Sequence, residues 1–267
     1  MMRMHHVSVV AACIFLTAAV AKAEEPGPEP YTPPESLAGS WEFTPAAGLP
    51  NVLLVGDSIT LGYARMVRTE LAGEANVFVT MKHGAPINWG NSRKGMRIFF
   101  EPQLLRVTWH VVHFNFGLHD ICRLHQLPDK SAKKDRDAPP QVPIHRYRTH
   151  LDHFAMGMEA TGAHLIWATT TVVPENEDCR RVGDEVRYNE AAAEVMKKHG
   201  IAVNDLHALS RTLGPEDRVA RRDVHFNDSG NRKLARQVAS AIRKSLKRPH
   251  SGEKTGRDRD DERVSPD

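Results

Sequence analysis

At 267 residues, with 40% hydrophobic and 26% charged positions, the chain can bury one substantial core and has the composition of a soluble globular protein. Lys and Arg (36) nearly balance Asp and Glu (33), leaving a formal charge of +3. No dense basic stripe with interleaved aromatics is present, so nucleic acid is excluded as an expected partner.

Arg3 precedes an apolar run over residues 7–20, and Ala21-Lys22-Ala23 fits a small-x-small cleavage site. Residues 1–23 are therefore expected to be a removed signal peptide, exporting the protein to the periplasm or the medium. The run is shorter than the ~20 residues a spanning helix needs, so no stable membrane insertion is expected. Cleavage removes Cys13 and leaves Cys122 and Cys179, which form either one disulfide or two separate thiols. Residues 24–48 are a proline-rich lead-in, and residues 247–267 a charged tail expected to be disordered.

Between them, residues 49–246 alternate strand and helix. Residues 51–55 are a short apolar run that stops at Gly56, as a buried parallel strand would. Further strands are expected at 75–81, 109–116, 163–171 and 201–204. Helices are expected at 59–71, at 184–199 with Gly200 following it, and in the last segment, where Leu234, Val238, Ile242 and Leu246 make one apolar stripe. Five strands alternating with helices predict a three-layer α/β/α sandwich around a parallel sheet. Ligands of such sheets bind at the carboxyl ends of the strands. Residues 123–143 are a polar insertion that either borders such a site or is a surface loop.

Four segments fall at that edge. Gly56-Asp57-Ser58 follows the first strand and opens a helix, whose free N–H groups favour negative charge. Asn88-Trp89-Gly90-Asn91-Ser92 lies after the second strand, Gly117-Leu118-His119-Asp120 ends the third, and Asp223-Val224-His225 precedes the last helix. Together they hold a hydroxyl, an imidazole to take its proton and donors for an oxyanion, the parts of acyl transfer.

In these four ordered motifs, across about residues 51–246, the chain resembles the SGNH (GDSL-type) hydrolases, whose sheet is flavodoxin-like. The resemblance implies Ser58 as nucleophile, His225 as base and Asp223 as its partner, with Ser58, Gly90 and His119 forming the oxyanion hole. Two departures stand out. His119 occupies the family's usual asparagine position, and the usual aspartate position, three before the histidine, is Arg222; Asp223 lies only two before. Either Asp223 or a backbone carbonyl steadies His225.

Fifteen histidines raise the question of a metal. His110 and His113, three apart in a predicted strand, should face opposite sides. His145, His150 and His153 share part of a helical face without an acidic cluster, so no metal and no cofactor is expected. Asp57 and Asp120 are expected to hold loops, Tyr188 and Asn189 to make structural contacts, and the four tryptophans to pack, with Trp89 a candidate for stacking on a sugar. The expected activity is hydrolysis of carboxylic esters, with a small-molecule or carbohydrate ester as substrate and O-deacetylation of carbohydrate as one form of it. A lipase-like acylhydrolase and an inactive carbohydrate-binding protein on the same scaffold are the alternatives.

Overall fold

The computed structural model describes residue 41 and residues 43–248, apart from 83, 84, 102, 103, 105 and 130. The expected signal peptide, most of the lead-in and the tail beyond 248 lie outside the described residues. Five parallel strands form the central sheet: β1 (Asn51–Val55), β2 (Asn76–Val79), β3 (Val111–Phe114), β4 (His164–Ala168) and β5 (Ala202–Asn204). Their spatial order is β2-β1-β3-β4-β5, with Leu53 opposite both Phe78 and Val112 and Trp167 opposite Val203. The expected α/β sandwich is thus the observed one.

A sheet covered on both faces needs apolar side chains at consecutive positions, and β1 and β3 supply them. Val52, Leu53, Leu54 and Val55 are buried, as are Val111, Val112 and Phe114. His113 is the polar exception. It is fully buried, its Nε2 accepts from Asn204 Nδ2 at 3.0 Å, and burial pushes its pKa down to about 3. It is therefore a neutral core imidazole.

The helices are α1 (Ser58–Glu70), α2 (Ser92–Gly95), α3 (Leu118–Ile121), α4 (Ile144–Glu159), α5 (Asp184–Lys198), α6 (Leu206–Arg211) and α7 (Asp228–Leu246). α1 packs on α7, and α4 on α5. In α7, Leu234, Val238 and Ile242 are buried along the predicted stripe, each worth roughly 1.5–3 kcal/mol. Asn227 caps its start, accepting the N–H groups of Ser229 and Gly230. α5 opens on Asp184 and Glu185 and closes on Lys197 and Lys198. Its end is a Schellman motif: Gly200 N–H reaches Lys197 O, and Ile201 N–H reaches Met196 O.

The strands are shorter than the sequence spans. Past Val79 the chain leaves the sheet, and Met81–Lys82 pairs antiparallel with Ala85–Pro86. Past Phe114 and Ala168 it runs on as buried polar residues tied across the sheet edge: Asn115 Nδ2 donates to Ala168 O, and Thr170 Oγ1 to Phe116 O. The insertion at 123–143 contains a small hairpin of Leu124–Gln126 and Ala132–Lys134. Cys122 and Cys179 are joined in a disulfide, with Cα atoms 5.0 Å apart across 57 residues. Trp109 and Trp167 are fully buried. Trp89 is 5% exposed, and its indole N–H donates to Thr80 Oγ1, so most of its ring is packed in the core.

Candidate active site

The strand order reverses between β1 and β3, and ligand crevices of such sheets open there. β1 ends at Val55, and Gly56 turns the chain into α1; a Cβ on Gly56 would collide with the Thr60 side chain. Asp57 caps the helix by accepting the Ile59 N–H at 3.0 Å. Ser58 is the first helical residue, so its N–H has no acceptor within the helix.

His225 comes from the loop before α7, held by Val219 N–H on His225 O and by Asn231 Nδ2 on Phe226 O. Ser58 Oγ lies 2.8 Å from His225 Nε2, and His225 Nδ1 lies 2.6 Å from Asp223 Oδ1. An ionised carboxylate only accepts, so Nδ1 carries the proton and Nε2 accepts from the serine hydroxyl. The group meeting Nδ1 is Asp223, not a backbone carbonyl. Burial raises the Asp223 pKa, but the bonds from the His225 ring and backbone N–H outweigh it and leave the carboxyl below its ordinary value. Arg222, at the position three before His225, runs elsewhere: Nε donates to Asn176 O, and Nη2 meets Asp178.

His119, at the start of α3, lines the same cavity as Ser58 and His225. Burial lowers its pKa against the pull of Asp57, which favours a neutral ring with one N–H to give. Gly90 adjoins it: a Cβ there would lie 3.7 Å from His119 Nδ1, and Gly90 has φ +63°, which favours glycine. The Gly90 N–H, however, donates to Asn88 Oδ1 at 3.0 Å. Ser58, His225, Asp223 and His119 therefore meet at one cavity, with Gly90 beside them and its donor engaged.

Asp120 joins the two loops behind this wall. It accepts Ser92 N–H at 3.0 Å and Ser92 Oγ–H at 2.5 Å, and Ser92 Oγ lies 2.9 Å from His150 Nδ1. Burial pushes the Asp120 pKa up to about 7, against the Ser92 bonds that lower it. Asp120 thus holds two loops together, whereas Asp57 caps α1. Tyr188 and Asn189 make structural contacts, to Val142 O and to the backbone of Thr170.

The cavity measures about 640 Å³. The insertion borders it through Leu124, Lys134 and Gln141, and both cysteines line it. Its least foreseen members are Glu177 and Arg180, after β4. Arg180 Nε donates to Leu118 O at 2.7 Å, and Nη1 pairs with Glu177 at 2.8 Å. Arg180 therefore grips the turn that carries His119. Its place past the carboxyl end of β4 was the one sequence signal for it. Among the described residues, no group of three His, Cys, Asp or Glu is arranged to hold a metal, and no helix is long and apolar enough to cross a membrane.

The model of the GDSL-like lipase/acylhydrolase family matches residues 54–233, from the end of β1 into α7. The chain belongs to this family. It is accordingly a hydrolase acting on esters. Solved structures with the same fold include three at low identity. A lipase/acylhydrolase from Enterococcus faecalis has 19% identity and TM-score 0.55, covering 73% of this chain and 96% of that one. A Slackia heliotrinireducens protein assigned as an SGNH hydrolase has 18% identity and TM-score 0.52, covering 73% and 100%. An acetylxylan esterase from Geobacillus stearothermophilus has 17% identity and TM-score 0.53, covering 75% and 95%. No curated protein matches the chain in sequence.

Proposed function

We propose that this family member is an exported serine esterase that removes short acyl groups, such as acetyl, from carbohydrate. The observation that carries the reading is the relay Ser58 Oγ–His225 Nε2–His225 Nδ1–Asp223 Oδ1, with links of 2.8 and 2.6 Å. His225 takes the Ser58 hydroxyl proton as Oγ attacks the ester carbonyl, then returns it to the leaving alcohol. In this reading the Ser58 N–H and His119 donate to the oxyanion, and the Gly90 N–H joins them once Asn88 releases it. A water deprotonated by His225 then clears the acyl-enzyme.

The cavity is bordered by Lys94, Lys134, Arg180, Arg222, Glu177 and Asp178, charged groups suited to the polar alcohol part of a carbohydrate ester. The acetylxylan esterase among the neighbours agrees with a carbohydrate substrate. Export into an oxidising compartment accords with the Cys122–Cys179 bond. Covalent labelling by a fluorophosphonate, compared between the native protein and Ser58→Ala, tests the nucleophile: labelling of native protein alone is expected. Hydrolysis of p-nitrophenyl acetate ahead of long-chain esters tests the acyl preference, and a long-chain preference would overturn it.

A further inference from the structure

Asn88 and Lys94 stand at the edge of the cavity at Ser58. Both also line a second, smaller cavity of about 170 Å³, whose wall adds Lys82, Arg97 and Glu101 and the apolar Ile87 and Trp89. The two spaces share these two side chains. Other cations of the first cavity each meet a carboxylate: Arg180 meets Glu177 at 2.8 Å, Arg222 meets Asp178 at 2.9 Å, and Lys134 meets the same Asp178 at 3.5 Å. Lys94, Lys82 and Arg97 differ. All three are exposed, and among the described residues none of them forms an ion pair. The second cavity therefore gathers three cations against one carboxylate, Glu101.

The backbone that carries Lys94 is fixed. The Lys94 N–H is held by the Asn91 side chain at 3.1 Å, in a helix whose first residue, Ser92, is bound to buried Asp120. A neutral glycan would leave these cations uncompensated. A carboxylate or sulfate would accept from the Arg97 fork and the Lys94 ammonium together.

We propose that the second cavity is a subsite for an anionic substituent, carboxylate or sulfate, on the sugar part of the ester substrate, held chiefly by Lys94 and Arg97. The proposal rests on the esterase reading for what occupies the first cavity. The subsite's preference for anions is measurable without any ester.

Calorimetric titration with unesterified probes makes that measurement: a galacturonate trimer, a sulfated disaccharide and neutral xylotriose, each into wild type and into the double variant Lys94→Gln/Arg97→Gln. At low salt, at least one anionic probe is expected to bind about tenfold more tightly than xylotriose. Raising the salt from about 20 to about 300 mM should shrink that advantage several-fold, because exposed charges are screened. In the double variant the advantage should vanish. Equal affinity for all three probes, or an anionic preference that survives the double substitution, overturns the proposal. Loss of Ser58-dependent labelling would instead strike the esterase reading, and leaves the binding comparison to stand on its own numbers.

Discussion

Asp223 Oδ1 accepts twice from the residue two positions on: from the His225 ring at 2.6 Å and from the His225 backbone N–H at 2.9 Å. The second bond is an Asx turn, and it explains how a carboxylate one residue nearer than usual still reaches Nδ1. Asp223→Asn removes the charge that stabilises the imidazolium, so kcat for a p-nitrophenyl ester should fall by more than tenfold and toward about 10⁴. Moving the carboxylate to the usual position, as Arg222→Asp with Asp223→Ala, should not rescue activity, because the residue 222 side chain runs toward Asn176 and Asp178. A rescued kcat would show that the turn is dispensable.

His119 tests the other side of the site. Removing one oxyanion donor costs about 10²–10³ in kcat, and His119→Ala should show a loss of that size. His119→Asn restores the amide usual at this position and should recover most of it. Burial favours the neutral imidazole, so imidazole and amide differ little in the charge they bring. Steady-state kinetics of the pair, with melting curves as a check on folding, decides the matter.

Arg180 acts through that same turn. Its side chain is 9% exposed and divides its donors between Leu118 O and Glu177. Arg180→Lys keeps the charge beside Glu177 but loses the directed Nε–H bond that holds the residue before His119. It should lower kcat by about tenfold while leaving KM for a small ester nearly unchanged. Arg180→Ala strands Glu177 as a buried, unpaired charge and should cost about 3–5 kcal/mol in urea unfolding.

Much of the scaffold was legible because local signals agreed. An apolar run stopping at Gly56 marked β1 and its turn, and the stripe repeating every fourth residue from Leu234 to Ile242 marked the buried face of α7. The site residues were legible as types at the right edge of the sheet. Their contacts were not. The Arg180–Leu118 bond spans 62 residues, Ser92–Asp120 spans 28, and the disulfide spans 57. No periodicity encodes such separations, since tertiary packing sets them. The Gly90 N–H was expected to be free for the oxyanion, but the asparagine two residues before it makes a local turn that claims it.

Two buried groups pull the pH dependence of stability in opposite directions. His113 falls from its ordinary 6.5 to about 3. Between those values the unfolded chain binds a proton that the native one does not, so stability is lost as pH falls below 6.5. Asp120 rises from 3.8 to about 7. Between those values the native chain holds a proton that the unfolded one releases, so stability is lost as pH rises toward 7. From about pH 4 to 6.5 the two slopes cancel. Asp120→Asn should expose the His113 slope, with stability rising by about 1.4 kcal/mol per pH unit. His113→Gln keeps an acceptor for Asn204 and should expose the opposite slope. Urea unfolding across this range, in wild type and both variants, would refute the assignment if all three profiles run parallel.

The Cys122–Cys179 bond joins the residue just after α3 to the loop after β4, where Arg123 N–H also donates to Cys179 O at 2.7 Å. Closing 57 residues of chain restricts the unfolded ensemble by about 4 kcal/mol on a loop-entropy estimate. Reduction, or the Cys122→Ser/Cys179→Ser pair, should therefore lower the melting temperature by roughly 10 °C. A second consequence separates this bond from a remote staple. The same loop carries Arg180, so its loosening should relax the grip on Leu118 and lower kcat at temperatures well below melting. If the reduced protein melts earlier but turns over ester at the full rate, the bond stabilises the fold alone, and Leu118 is held without it.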